Sequence, residues 1–277
     1  MFRGLYTATS GMMAHNRKQQ VLTNNLANAN TPGFKQDQTA LRAFPAQLIR
    51  AIQTGSSDHN GPKSPYIGTL HTGVYTQEGI PAFMSGPLKE TGNSTDLALL
   101  DEALPMNPEK GTLVFAVNAS DNQIRYTKNG QFTVNQDGIL TTSEGNPVLN
   151  QNLQPIQVNT KEFKVVDDGQ ILLPDGTRNG RIWIGYTEET RQFVKEGHGL
   201  LRWEGNPEAG PQAVDEIEGL NNIRTLVKQG FIEQSNVDVT QTMSEMITTY
   251  RGFESNQKVI QAYDRSMEKT VNDIGRI

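Results

Sequence analysis

The sequence predicts an α+β protein, with an antiparallel all-β central domain flanked by long amino- and carboxyl-terminal helices that form a coiled-coil-like core when copies assemble. Three observations predict it. Apolar residues recur at helical spacing at both ends, the period shifts to two between them, and Asn-Gly and Asp-Gly pairs punctuate the middle.

Taken in order, residues Leu5, Ala8, Met12, Leu22 and Leu26 fall on one face of a helix running from Arg3 to about Ala29, interrupted by His15 and Gln19. Gly4 and Gly11 each cost about 1 kcal/mol in a helix relative to alanine. They mark either close backbone approach to another helix or tolerated glycines near a frayed end. Asn28, Asn30, Thr31, Pro32 and Gly33 then concentrate residues that cap or cannot continue a helix. Leu41, Phe44, Leu48, Ile49 and Ile52 have the spacing of a short second helix, weakened by Pro45 and followed by a polar loop from Thr54 to Pro65.

Beyond Leu70 the alternation of strands appears, over Leu113–Val117, Ile124–Tyr126, Gln131–Val134, Gly138–Thr141 and Arg181–Ile184. Asn129-Gly130, Asp137-Gly138, Asp168-Gly169, Asp175-Gly176 and Asn179-Gly180 suit the positive φ of two-residue hairpin turns. An irregular Gly/Pro region spans Gly197 to Pro211, and Leu220 to Phe231 leads back toward the last helix. Asp238 and Gln241 fit a capping box opening a helix from Val239 to Ile274, weakened only at Gly252. The domain division is 1–33, an amino-terminal helix; 34–75, a short helix plus loop linker; 76–230, a β-rich outer domain; and 231–277, a carboxyl-terminal helix.

Composition narrows the function classes. The chain has 277 residues, 35% hydrophobic and 20% charged, which is enough for a sizeable core in one or two domains. A net charge of −5 and a pI near 5.5 supply none of the clustered basic charge that phosphate backbones require, so nucleic acid is not an expected partner. No run approaches the ~20 apolar residues of a membrane span, and the amino terminus lacks the pattern of a cleaved secretory signal. With zero cysteines, disulfides and thiol catalysis are excluded. His15, His59, His71 and His198 show no metal-ligand spacing, and no nucleophile or phosphate-loop motif occurs, so neither enzyme chemistry nor a cofactor is expected. Asp167 and Asp168 read as hairpin residues, and the Asn93 and Asn118 glycosylation-type triplets carry no role. A remote reading, a secreted carbohydrate-binding or glycan-cleaving β protein, rests on Trp183, Tyr186 and Trp203 beside Glu188 and Glu189.

The last helix places Met243, Met246, Tyr250, Phe253, Ile260, Met267, Val271 and Ile274 at 3-4 spacing, broken by Gln257 and Asp264. Ordering so long a helix costs more backbone entropy than those side chains return on burial in one molecule. Both ends are therefore expected to pack against identical neighbours and to be partly disordered in the free monomer. The subunit-contact residues are those eight together with Leu5, Met12, Leu22, Asn24, Asn25 and Leu26.

The run Asn24-Asn25-Leu26-Ala27-Asn28-Ala29-Asn30-Thr31-Pro32-Gly33-Phe34-Lys35 resembles the amino-terminal signature of bacterial flagellar rod and hook proteins. Tyr126-Thr127-Lys128-Asn129-Gly130-Gln131-Phe132, with Asn135 and Gly138, is similar to that family's central β motif. Gly230, Glu233, Ser235-Asn236-Val237, Glu245-Met246, Arg251, Phe253-Glu254, Asn256 and Lys258 resemble its carboxyl-terminal signature. The resemblance implies a non-enzymatic axial subunit of distal-rod type, exported unfolded by the flagellar type III apparatus without a cleaved signal, with a hook-type subunit as the alternative. It also implies a helical homopolymer joined to adjacent rod and hook proteins in the basal body, with terminal helices lining the tube and β domains outside.

Overall fold

A computed structural model describes residues 3–50, 66–101, 111–206, 210–217 and 226–274. The chain divides into two compact units, one comprising 1–26, 37–79 and 239–277, the other 27–36 and 80–238. The first is helical with a β ribbon. Helix α1 spans Arg3–Ala27 and helix α2 spans Val239–Ile274, starting directly after Asp238.

In place of the short second helix expected around residues 41–52, the chain forms extended strands. Leu41–Ala43 pairs with Val74–Thr76 and Gln47–Arg50 pairs with Tyr66–Leu70, giving an antiparallel ribbon. The apolar spacing imitated a helix because Leu41, Phe44 and Leu48 are exposed ribbon residues, answering to no common core face. Ile52 and the loop expected over Thr54–Pro65 lie outside the described residues. The ribbon is fastened to α1 by polar contacts. Thr76 Oγ1 donates to Ala14 O at 2.8 Å, the Val74 amide donates to Ser10 Oγ at 3.3 Å, and Thr7 Oγ1 donates to Thr72 O at 3.3 Å.

The second unit is built on a six-stranded antiparallel sheet, ordered Phe193–Gly197, Leu200–Trp203, Ile124–Thr127, Thr112–Asn118, Ile184–Thr187 and Gln212–Ala213. Its central strand buries both faces. Leu113, Phe115 and Val117 enter one apolar cluster while Val114 and Ala116 enter another, as the two-residue period requires. The first cluster adds Phe132, Leu140, Ile171, Ile182 and Tyr186, and the second adds Leu149, Trp183, Phe193 and Leu201.

Among the expected turns, Asp137-Gly138, Asp168-Gly169 and Asp175-Gly176 lie between paired strands with glycine at positive φ. Two differ. Asn179-Gly180 lies inside the strand Arg178–Arg181, and Gly130 is where the backbone passes so close to Leu97 O that no Cβ fits. Its service is to packing, not to positive φ.

Each residue of the two main clusters lies between Phe83 and Val227. Removing residues 1–30 and 240–277 is therefore expected to leave a folded, monomeric β unit with a cooperative thermal transition. The ribbon, deprived of α1, becomes the first site of limited proteolysis. Loss of the transition would show that the helices complete the core.

Candidate functional site

Helices α1 and α2 run antiparallel, and their contact is made by small and polar residues. A Cβ on Gly4 would collide with the Tyr263 hydroxyl, one on Gly11 would lie 2.9 Å from Asn256 Nδ2, and one on Gly252 would lie 2.7 Å from the His15 ring. These pairs share one register, with Lys18 meeting Glu245 at 3.3 Å further along. Thr242 and Thr249 are buried on the same stripe of α2, two heptads and one heptad before Asn256. The glycines are there for close helix approach, which decides between the two readings of Gly4 and Gly11.

That stripe redistributes the expected contact residues. Met246, Phe253, Ile260 and Met267 flank the seam and are half-buried. Met243 and Tyr250 are 48% and 55% exposed, Val271 is 71% exposed, and the Ile274 side chain lies outside the description. On α1, Leu5, Met12 and Leu26 are half-buried and Asn24 is exposed. Leu22 and Asn25, expected at the surface between copies, are instead buried by the chain itself. The Asn25 amide explains its own burial. Nδ2 donates to Asp37 O at 2.9 Å and Oδ1 accepts from the Asp37 amide at 3.0 Å, clamping the start of the ribbon to α1. Among the exposed apolar residues that escaped the sequence reading are Tyr6, Met13 and Ile247. A search of α1 and α2 for apolar residues beside the expected face, one position on, would have found them.

Sequence reasoning also missed a buried charge cluster in the β unit. Lys35 Nζ donates to Glu233 Oε1 at 2.6 Å and to Met84 O at 2.8 Å. Glu233 Oε1 also accepts from the Gly86 amide at 2.8 Å, and Oε2 lies 3.6 Å from Lys128 Nζ. Lys128 in turn donates to Asp101 Oδ2 at 2.5 Å, and Asp101 Oδ1 accepts from the Leu113 amide at 3.0 Å. All four side chains are at most 3% exposed. Two cations and two anions therefore form a neutral group away from water.

The ionisation tendencies follow from that geometry. Burial, then the neighbouring Lys128, hold the Lys35 ammonium below the usual lysine value. Burial also opposes charge on Glu233, but Lys128 and Lys35 outweigh it and keep its carboxyl below the usual glutamate range. Burial works against Lys128 as well, and there Asp101 and Glu233 prevail and raise it.

The three sequence blocks that carry the family resemblance converge on this cluster. Gly33, at φ +69, sits where a Cβ would lie 2.5 Å from the Asn129 nitrogen, and its own amide donates to Glu233 O at 2.8 Å. Asn236 Oδ1 accepts from the Gln36 amide at 2.7 Å while Nδ2 donates to Ala82 O at 2.8 Å. The segments that leave α1 and enter α2 are thus held side by side. The signal in the sequence was a single charge among neutral neighbours in each stretch, Lys35 in 24–35, Lys128 in 126–135 and Glu233 in 229–237.

The aromatic and acidic cluster considered for glycan chemistry is divided by the sheet. Tyr186 packs in the first cluster and donates to Glu188 at 3.2 Å, whereas Trp183 and Trp203 belong to the second. Burial, then Glu188, push the Tyr186 phenol up to about 12, so it stays protonated.

Family models match three stretches of the chain: a flagella basal body rod protein model at residues 5–35, the D1 domain model of flagellar hook protein FlgE/F/G at 110–173, and the carboxyl-terminal model of flagellar basal body rod FlgEFG protein at 228–274. The chain is similar to the flagellar hook-basal body complex protein FlhO of Bacillus subtilis, with 42% identity over the whole of both chains. It is 31% identical to the flagellar basal-body rod protein FlgG of the same organism, covering 98% of this chain and 99% of that one. The rod protein FlgF of Caulobacter vibrioides is 30% identical over the full length of both.

Two measurements probe these sites. Both tryptophans lie in the β unit, so tryptophan fluorescence reports its unfolding alone. Lys35→Met or Glu233→Met is expected to lower its stability to urea by about 3–5 kcal/mol, because each strands a buried charge. The double variant Lys35→Met/Glu233→Met loses less than either single, and a fully additive loss would contradict the pairing. In the helical unit, burial and then Lys18 hold the His15 imidazole below its usual value of 6.5. The neutral ring is the one that folding favours, so His15 contributes stability that is present above pH 6.5 and lost as pH falls through the lowered folded value. Helix melting followed by circular dichroism is expected to weaken over that window, and the window's slope disappears in His15→Gln.

Proposed function

Because the chain belongs to the family of flagellar basal-body rod and hook proteins, we propose that it polymerises as a distal-rod subunit through the apolar residues its helical hairpin leaves uncovered. It is a structural protein, not an enzyme. The observation that carries the proposal is the polar, glycine-rich seam between α1 and α2. That seam satisfies the pairing of the helices yet leaves Tyr6, Met13, Met243, Ile247 and Tyr250 facing outward.

On this reading, the helices of many copies line a tube and the β units, 76–230 in the sequence division, form its outer layer. The tube transmits torque, conducts exported subunits and joins adjacent rod and hook proteins in the basal body. Passage of the subunit itself through the flagellar export apparatus, without a cleaved signal, belongs to the same proposal. The absence of cysteine suits a chain that crosses compartments of different redox poise. Similarity to FlgG favours the distal rod over the hook. The mechanical distinction is that a rod is straight and stiff whereas a hook bends.

Replacing Tyr6, Met13 and Tyr250 together by serine is expected to leave the fluorescence transition of the β unit unchanged while abolishing assembly in sedimentation and electron microscopy. Wild-type assemblies are straight tubes. Curved ones would transfer the assignment to the hook, and undiminished assembly of the triple variant would remove these residues from the contact.

A further inference from the structure

Resting on the reading of the chain as a torque-transmitting subunit, we infer that Asn236 and Glu233 bind three segments of chain into one collar, through which the β unit is turned. The chain passes between its two units at 26–27, 36–37, 79–80 and 238–239. Three of these passages lead directly into segments that bond to one another inside the β unit, 33–36, 82–86 and 233–236. The bonds lie in two layers.

The layer nearer the passages in sequence is built on Asn236. Its Oδ1 accepts from the Gln36 amide at 2.7 Å, and its Nδ2 donates to Ala82 O at 2.8 Å and to Met84 O at 3.2 Å. The Ala82 amide closes the ring by donating to Gln36 O at 2.9 Å. One amide side chain thus touches all three segments. The second layer takes in the same three through Glu233, whose Oε1 accepts from Lys35 Nζ at 2.6 Å and from the Gly86 amide at 2.8 Å, while Lys35 Nζ also donates to Met84 O. Backbone contacts join the layers. The Gly33 amide donates to Glu233 O at 2.8 Å, the Asn236 amide to Phe34 O at 3.4 Å and the Gln234 amide to Pro87 O at 2.9 Å. Gly86 is pressed so near that a Cβ on it would collide with Gln234 O. A single extended segment turns about φ and ψ at every residue, so a β unit held by separate segments would swivel. Three segments tied to each other at two levels have no such freedom, and a twist or pull on one is carried by all.

The chain holds no cysteine, so introduced thiols are the only attachment points for stretching single full-length molecules. One handle is Glu144→Cys, on an exposed loop of the β unit, and the other is either Gln38→Cys or Val239→Cys, both exposed and just beyond the collar. With the collar intact, either pair of handles is expected to give one rupture, the unfolding of the β unit. Asn236→Ala lowers the rupture force for both pairs and, pulled from Val239→Cys, adds an early extension of about 20 Å as residues 233–238 come free at about 3.3 Å each. Asn236→Asp keeps the acceptor for Gln36 but loses the donors to Ala82 and Met84, so its force falls between; it carries the comparison if Asn236→Ala lacks the fluorescence transition of a folded β unit. Gln234→Ala, which removes an exposed side chain from the same segment, leaves the force unchanged. Forces unaltered in the Asn236 variants, or lowered for one pair of handles alone, would overturn the collar and leave the polymeric function standing. Protein that sediments as a monomer at every concentration would overturn the polymeric function, while the rupture forces still decide whether the three segments act as one piece.

Discussion

Four charges closed away from water hold the β unit to its purpose. Lys35 and Glu233 are 198 residues apart in sequence, and each is worse than useless buried alone. A well-packed apolar set would stabilise the fold as well. What the ions add is directionality, since an ammonium satisfied by a carboxylate and by Met84 O has little freedom to slide. The stretch ending α1 and the stretch beginning α2 therefore have one relation to each other within this unit. Gly33 and Asn236 repeat the constraint through backbone contacts.

The helical unit divides its surface between two tasks. Register within one molecule is set by Gly4, Gly11 and Gly252, each accepting a larger side chain from the opposite helix. Ordinary apolar pairing would have tolerated slippage by a heptad; a ring or amide seated over a glycine does not. The hydrophobic side chains are thereby released from the intramolecular seam. Met246, Phe253 and Ile260 flank it half-buried, and Tyr6, Met13, Met243, Ile247 and Tyr250 stand exposed.

Much of this architecture was readable from the chain. Leu113 to Val117 shows its strand because alternate residues serve different clusters, and α2 shows its length because no glycine or proline but Gly252 interrupts it. The apolar heptad pattern lies beside the seam between the two helices, whose stripe on α2 holds the buried Thr242 and Thr249 with Asn256 over Gly11. Residues 41–50 were read as helix because their strand partners, 66–76, are distant in sequence and periodicity sees only neighbours. Gly130 and Gly180 carry the dipeptide of a hairpin without making one, since a close approach or a kink uses the same residue. The charge cluster was hidden for a related reason. Each member stands alone in its own segment, and only the fold brings them together.

The ribbon lies on α1 through hydroxyl and amide contacts from Thr7, Ser10, Thr76 and Asn25, which clamp its root. An antiparallel ladder grows at its tip by adding residues to both strands, each extending the reach by about 3.3 Å. Insertions and deletions there alter how far the molecule stretches without disturbing seam, clamp or core.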